Sequence, residues 1–168
     1  RKLSFLFGDA QQFIGKLKVL DIRLSPEYIQ KTEAQYYVLE ENDIRSRLLH
    51  REDFAHKGNM GNALIVAGSY GMSGAAVLAT RACLRSGVGK VTAITPKKNY
   101  DIMQIAVPEA VLQMDHEETA FTEAVDTDGF DALGIGPGLG RQETTAIAMI
   151  AQIRRAQCPI VADADALN

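Results

Sequence analysis

The chain has 168 residues, of which 46% are hydrophobic and 23% are charged, and its formal net charge is −3. This composition is typical of a globular domain, and the slight negative charge argues against electrostatic binding of nucleic acid. No run of 18 apolar residues occurs, so the sequence predicts no membrane span.

The first 60 residues show little regular patterning. Near-alternating apolar residues predict a strand over Lys16–Leu24. The Ser25–Pro26 pair that follows predicts a turn. Residues 31–60 carry many charges in no clear period, which indicates a linker and lead-in segment with a short helix at Glu41–Leu49.

From Asn62 onward, short apolar runs alternate with helix-like segments. The expected strands cover 62–67, 88–96, 109–114, 130–135 and 159–162. The expected helices cover 74–87, 97–106, 117–125 and 143–156. This alternation predicts an α/β fold with a parallel sheet and helices on both of its faces.

The two longest expected helices each carry an apolar stripe that should face the sheet. The stripes are Val77, Leu78, Ala82 and Leu84 in the first helix, and Ala146, Ile147, Ile150 and Ile153 in the second. Apolar residues three or four positions apart are typical of a helix that packs on one side.

The cysteines and histidines point to no metal centre or catalytic triad. Cys83 and Cys158 are expected to be buried thiols rather than a disulfide, which favours a reducing compartment such as the cytoplasm. Neither a CxxC motif nor a His/Cys cluster occurs, so no structural zinc site is expected. None of the three histidines has a partner at a spacing typical of a Ser–His–Asp triad, although His56 is placed to orient the loop before the first strand.

A glycine-rich loop, "GSYGMSG", joins the first strand of this region to its helix. The helix should present free backbone N–H groups near Ser73–Ala75, and such an end attracts phosphate. The glycine spacing matches neither GxGxxG nor a Walker A loop. On the loop alone, a simple strand–helix turn and a ligand-binding loop are equally favoured.

Two more loops should meet this one, because the carboxyl ends of parallel strands share one edge of the sheet. In "GIGPGLG", four glycines stand in seven residues, more than a turn requires, which favours close approach of a ligand. In "DADALN", two carboxylates, Asp163 and Asp165, stand beside a carboxamide, Asn168. The two aspartates lie two residues apart, so on an extended chain they point the same way and can hold Mg²⁺ through water. Capping of a helix by either aspartate explains that motif equally well.

Several separated motifs resemble one enzyme family, in order along the chain. They are "HKGNMGNALIVAGSYGMSGAAVLATRACLRSGVGKVTAITP", "DALGIGPGLG" and "PIVADADALN", and the similarity spans Tyr36 to Asn168. The chain resembles the ATP/ADP-dependent NAD(P)H-hydrate dehydratases, which have a ribokinase-like fold. The earlier piece "KLSFLFGDAQQFIGKLKVLDIRL" is similar to the last strands of the NAD(P)H-hydrate epimerase domain that is often fused upstream.

The resemblance implies a domain layout and a reaction. Residues 1–30 would be the tail of an epimerase domain, 31–60 a linker, and 61–168 the N-terminal part of a dehydratase domain, so the ribokinase-like domain would be partial. The implied substrate is NADH or NADPH that has gained water on its nicotinamide ring. ADP or ATP with Mg²⁺ phosphorylates the added hydroxyl, phosphate leaves, and the reduced ring is restored.

The resemblance also implies which residues bind. The hydrate pocket would be lined by Ser73, Gly74, Ala75, Gly136, Pro137 and Gly138. The nucleotide and its metal would lie near Asp163, Asp165 and Asn168. The family's Gly-Thr-Gly-Asp segment, which carries the catalytic base, does not occur in these 168 residues, so no catalytic residue is assigned and the chain alone is expected to be inactive.

Two other functions remain open from the sequence. One is a small-molecule kinase of the same fold, acting on a vitamin precursor or a sugar. The other is a non-catalytic module that binds a dinucleotide. In each case we expect small-molecule ligands, no membrane or nucleic-acid partner, and assembly into a homo-oligomer.

Overall fold

The computed structural model describes residues 3–168 and divides the chain into two compact units. The first unit ends at Leu48 and the second covers Leu49–Asn168.

The first unit contains only short helices. After a 3₁₀ turn at Leu3–Leu6, its α-helices are α1 (Gly8–Gln11), α2 (Pro26–Lys31) and α3 (Glu41–Arg45). Among residues 3–48, only Ala10 and Ile14 are even partly buried, so this unit has no hydrophobic core of its own.

Two predictions for this unit are wrong. The segment Lys16–Leu24 forms no strand, because none of the described residues pairs with it and its alternating apolar side chains are exposed. The Ser25–Pro26 pair starts a helix rather than a turn. The Ser25 side chain accepts a hydrogen bond from the Tyr28 amide at 3.4 Å, and Pro26 occupies the first helical position, where its missing N–H is not needed. The helix expected at Glu41 forms, but it ends at Arg45.

The second unit is built on a five-stranded sheet. Its strands are β1 (Asn62–Val66), β2 (Lys90–Thr95), β3 (Val111–Met114), β4 (Ala132–Ile135) and β5 (Ile160–Ala162). Its α-helices are α4 (Ser73–Arg85), α5 (Tyr100–Ala106) and α6 (Glu143–Arg155). The strands are ordered β3-β2-β1-β4-β5 and all pair in parallel, which confirms the predicted fold class.

Two apolar clusters fill the two faces of this sheet. Side chains alternate between faces along β1, so that Leu64 and Val66 belong to one cluster and Ala63 and Ile65 to the other. The first cluster also contains residues of α6, and the second contains residues of α4 and α5. Burial on both sides explains why β1 reads as a continuous apolar run.

The predicted apolar stripes of the two long helices are partly wrong. In α4, Leu78 is 67% exposed, whereas the wholly buried positions are Ala76 and Thr80. In α6, Ile147 and Ile150 are exposed, whereas Thr145, Ala148, Met149 and Gln152 are buried. Small or polar side chains therefore occupy buried positions that we expected larger apolar residues to fill, namely Ala76 and Thr80 in α4 and Thr145, Ala148 and Gln152 in α6.

The burial of Gln152 has a clear physical basis. Its side-chain amide accepts from the Val125 N–H at 2.8 Å and donates to the Val125 carbonyl at 3.1 Å. These two hydrogen bonds replace the ones that the side-chain amide would make to water, and they offset the free energy lost when it is buried.

The helix expected over 117–125 does not form. The carboxylate of Asp115 instead accepts the backbone N–H groups of Glu117, Thr122 and Glu123, which bends the segment back on itself. Phe121 is wholly buried beneath the bend. Hydrogen bonding to an aspartate side chain thus outcompetes helix formation here.

Cys83 and Cys158 are free, half-buried thiols. Burial raises the pKa of the Cys83 thiol. Within residues 3–168, no helix is both long enough and apolar enough to span a membrane.

Candidate active site at the carboxyl edge of the sheet

The direction of winding of the sheet changes beside β1. The chain passes from β1 outward to β2 and β3, and then returns to the other side of β1 to form β4 and β5. The loops after β1 and β4 therefore diverge at a switch point, which is where ligands bind in open parallel sheets.

The loop after β1, Gly68–Met72, leads directly into α4, and we refer to it as the β1–α4 loop. The backbone N–H groups of Ser73 and Gly74 lie in the first turn of α4, where the helix itself offers no carbonyl partner. Neither group donates a hydrogen bond to any of the described residues. A Cβ atom built on Gly74 meets nothing within 4 Å. This end of α4 is therefore both polar and open.

The loops after β1 and β4 are in direct contact. The Gly68 amide donates to the Pro137 carbonyl at 2.8 Å. Gly138 adopts a φ of +67°, and a Cβ atom there would lie 2.6 Å from the methyl carbon of Ala75. Three of the residues expected to line the hydrate pocket, Ala75, Pro137 and Gly138, are thus adjacent in space.

The loop after β4 is equally close to the end of β5. A Cβ atom on Gly136, whose φ is +128°, would lie 1.8 Å from the carbonyl oxygen of Asp163. The Asp163 amide in turn donates to the Ile135 carbonyl at 3.1 Å. We predicted that glycines in this loop admit a ligand, but at Gly136 and Gly138 the neighbouring atoms belong to the protein.

The three polar residues after β5 have different surroundings. The Asp163 side chain is exposed and makes no hydrogen bond within the described residues, so it does not cap the following 3₁₀ turn, Ala164–Leu167. The Asp165 carboxylate accepts the Gly140 amide at 2.9 Å, and the Asn168 side chain donates to the Ala164 carbonyl at 3.0 Å. Because residues 164–167 form a turn rather than an extended chain, the alternation argument that paired the two aspartates does not apply.

A cavity of about 410 Å³ runs from this edge along the sheet beside α4. Its lining is mostly apolar and comprises Ala63, Ile65, Ala79, Cys83, Ser86, Ala132, Leu133, Gly134, Ile135, Pro137, Val161 and Asp163. Pro137 and Asp163 lie at the end nearest the loops. Within residues 3–168, no group of three or more His, Cys, Asp or Glu side chains is arranged to hold a metal ion.

Comparison with known proteins decides the family. A model of the NAD(P)H-hydrate dehydratase family matches residues 63–168. The chain belongs to this family. The match includes every strand from β2 to β5, all three loops of the carboxyl edge and all but the first residue of β1.

Solved structures give the same result for the fold. The crystal structure of ADP/ATP-dependent NAD(P)H-hydrate dehydratase from Bacillus subtilis, co-crystallised with ATP and Mg²⁺, is similar with a TM-score of 0.66 and 34% identity, covering 76% of this chain and 46% of that one. A ribokinase-like superfamily protein from Enterococcus faecalis V583 has a TM-score of 0.65 and 25% identity, covering 81% and 49%. The predicted ribokinase-like fold is confirmed.

A longer relative matches almost the whole chain. The bifunctional NAD(P)H-hydrate repair enzyme of Moorella thermoacetica is 34% identical over 178 residues, covering 99% of this chain and 33% of that protein. The chain thus spans about a third of the length of this dehydratase-family relative.

Sequence reasoning missed a second set of residues at the same edge. Asn99, 1% exposed, donates through its side chain to the Thr95 hydroxyl at 2.8 Å and to the Ser69 carbonyl at 3.5 Å. The Lys98 ammonium lies 4.9 Å from the centre of the Tyr70 ring. Asp115 directly follows β3, just as Asp163 directly follows β5. An aspartate immediately after a strand is the sequence signal by which Asp115 could have been found.

Proposed function

We propose that the protein of which this chain forms part restores NADH or NADPH from the hydrated cofactor, using ADP or ATP as phosphoryl donor. The observation that carries this proposal is the open, polar start of α4 beside the interlocked loops after β4 and β5, in a chain of the dehydratase family. A dinucleotide and a phosphoryl donor both need such an anion-binding edge.

In the proposed reaction, the ring hydroxyl of the hydrate attacks the terminal phosphoryl group of the nucleotide, and the shorter nucleotide leaves. That attack forms an O–P bond and releases the hydroxyl proton, which gives a phosphate ester. The original ring C–O bond of this ester then breaks and the neighbouring ring carbon loses a proton, so that phosphate departs and the reduced nicotinamide ring is restored. Binding and orientation are the contributions of this chain. The free amides of Ser73 and Gly74 donate hydrogen bonds to the ligand, and Ala75, Pro137 and Gly138 form the wall beside it.

Asp163 fits the nucleotide side of the site. In phosphoryl-transfer sites, Mg²⁺ commonly binds one or two carboxylates, water and the phosphates of the substrate, where it neutralises developing charge. The Asp163 carboxylate is exposed and unpartnered, whereas Asp165 and Asn168 already make hydrogen bonds within the protein. We therefore place Asp163 nearest the metal and assign Asp165 and Asn168 to the shape of the nucleotide pocket.

The larger assembly is also part of the proposal. The match to a bifunctional relative over 99% of the chain supports residues 1–30 as an epimerase (isomerase) tail, 31–60 as a linker and 61–168 as the first part of the dehydratase domain. The exposed Leu78, Ile147 and Ile150 favour a homo-oligomer, since apolar helix faces are commonly buried between subunits. We expect the protein to act in the cytoplasm.

The test is turnover by the full-length protein. Hydrated NADH and hydrated NADPH are each incubated with ADP or ATP and Mg²⁺, and the absorbance of the reduced nicotinamide ring is followed. Recovery of that absorbance only when hydrate and nucleotide are both present supports the proposal. Phosphorylation of a pyrimidine, thiazole or sugar alcohol without hydrate turnover indicates a kinase, and binding of the hydrate without any turnover indicates a non-catalytic module.

A further inference from the structure

The connection after β3 is wrapped around one carboxylate. Asp115 is only 5% exposed. Its Oδ1 accepts from the Glu117 amide at 2.9 Å and the Thr122 hydroxyl at 2.7 Å, and its Oδ2 accepts from the amides of Thr122 at 2.7 Å and Glu123 at 3.2 Å. Both oxygens of this side chain are therefore committed to residues 117–123, which together with Asp115 we call the Asp115 segment.

The Asp115 segment is in turn bonded to the β1–α4 loop. The Tyr70 amide donates to the Thr119 carbonyl at 2.8 Å. Two more bonds join the same segment to the residues just after β2, from the Lys97 amide to the Glu117 carbonyl at 3.3 Å and from the Lys98 amide to the Glu118 carbonyl at 3.1 Å. The segments that follow β1, β2 and β3 are thus joined through their backbones.

These bonds leave Tyr70 exposed but fixed in place. Its side chain is 66% exposed and carries the Lys98 ammonium over its ring, while its backbone is held by Thr119. Tyr70 lies three residues before Ser73, where the unpaired amides of α4 begin. A shift of the Asp115 segment would therefore move the backbone that leads into those amides.

We propose that Asp115 is a positioning residue for the β1–α4 loop, which it holds through the Thr119 carbonyl and the Tyr70 amide. Asp115 itself touches no ligand, and its effect on binding rests on the proposed function of the loop. The competing explanation is that Asp115 only stabilises the fold. The two explanations predict different effects on the β1–α4 loop when Asp115 is replaced.

The first test needs no ligand. In Asp115→Asn the shape is kept, but wherever the new NH₂ group is placed it faces an N–H donor, so the segment loses part of its support. Thr122→Val removes only the hydroxyl bond to Oδ1 and serves as the milder variant if Asp115→Asn folds poorly. Gln152→Leu is the control, because it unpairs the Val125 backbone and costs stability in the same β3–β4 connection, at a pair that makes no hydrogen bond to Tyr70, Lys97 or Lys98.

The measurement is backbone amide hydrogen exchange in the full-length protein. We expect exchange at Tyr70, Lys97 and Lys98 to be faster in Asp115→Asn and, to a smaller degree, in Thr122→Val, but unchanged in Gln152→Leu. Equal exchange at these three amides in both Asp115-segment variants and the control would overturn the proposal.

The second test is kinetic. If the proposed activity holds, KM for the hydrate should rise by about three- to tenfold in Asp115→Asn, with a much smaller change in kcat, and stay constant in Gln152→Leu. Equal KM values in all variants would overturn the link to binding. Failure of the parent protein to turn over hydrate would contradict the proposed function instead, while the exchange result would still decide whether Asp115 positions the loop.

Discussion

The glycines of two neighbouring segments, the loop after β4 and the first turn of α4, differ in what surrounds them. A Cβ atom on Gly136 would collide with the Asp163 carbonyl at 1.8 Å, and one on Gly138 would lie 2.6 Å from the Ala75 methyl carbon. At Gly74 the same construction meets nothing within 4 Å. The loop after β4 is therefore closely packed by the protein at Gly136 and Gly138, whereas the first turn of α4 is open at Gly74.

This difference shows that glycine content alone does not locate a ligand. In the loop after β4, glycine permits a positive φ and lets two other loops approach. At Gly74 neither reason applies, because the residue is helical and has free space. An open glycine beside unpaired amides is thus the stronger sign of a binding surface, and the following substitutions separate the two kinds of glycine.

The largest effect is expected for Gly136→Ala. An alanine at this position would be strained by the positive φ, and its Cβ atom would collide with the Asp163 carbonyl oxygen. Together these two effects should lower the free energy of unfolding by about 3–5 kcal/mol. Gly129→Ala is the matched control, since Gly129 also has a positive φ, of +77°, but open space around it. Denaturant unfolding measures both, and equal losses in the two variants would show that Gly136 is not packed as described.

A smaller loss, about 2 kcal/mol, is expected for Gly138→Ala. The added methyl group meets the methyl group of Ala75, so Ala75→Gly in the same chain should restore part of the stability. A double-mutant cycle from denaturant unfolding measures this coupling. Purely additive effects would contradict direct contact between the loops after β1 and β4.

For Asp115→Asn we expect a loss of about 1–2 kcal/mol at neutral pH. Burial alone raises the pKa of Asp115, but the hydrogen bonds from Thr122, Glu117 and Glu123 outweigh it, and the pKa lies below the ordinary value of 3.8. A lowered pKa stabilises the folded state above the unfolded pKa, and this contribution is lost as the pH falls through the folded value.

The pH dependence of stability checks this assignment. The difference in unfolding free energy between the parent and Asp115→Asn should be constant from neutral pH down to about pH 5 and shrink below about pH 4. The nearby His116–Glu123 pair, 3.0 Å apart, is largely exposed and should contribute little. A difference that grows on acidification would contradict a lowered Asp115 pKa.

Strand β1 was predictable from the sequence because it is buried on both faces and reads as the unbroken apolar run "ALIV". The alternation of short apolar runs with helix-like segments predicted the rest of the parallel sheet. The loops at its carboxyl edge followed from the same pattern. Two errors came from hydrogen bonds between a side chain and the backbone, which hydrophobic periodicity does not reveal. The segment after β3 has helical composition but is organised by Asp115, and α6 buries Gln152 rather than Ile147 because Val125 supplies a backbone partner.

The segment Lys16–Leu24 failed for a related reason. An alternating apolar pattern forms a strand only when a neighbouring strand supplies hydrogen bonds, and residues 3–168 supply none to it. The roles of Gly136 and Gly138 were likewise beyond the sequence, because their crowding depends on how closely Asp163 and Ala75 approach. Composition identifies a special loop, but only coordinates show what occupies the space beside it.

The most direct test of the binding surface is Gly74→Leu in the full-length protein. The new side chain should leave stability within about 0.5 kcal/mol, because Gly74 is helical and open, yet raise KM for hydrated NADH or NADPH on the order of tenfold or more. Ala82→Leu, an exposed position more than two turns along α4, is the control and should leave KM unchanged. An unaltered KM in a folded Gly74→Leu protein would show that the substrate does not lie against the start of α4.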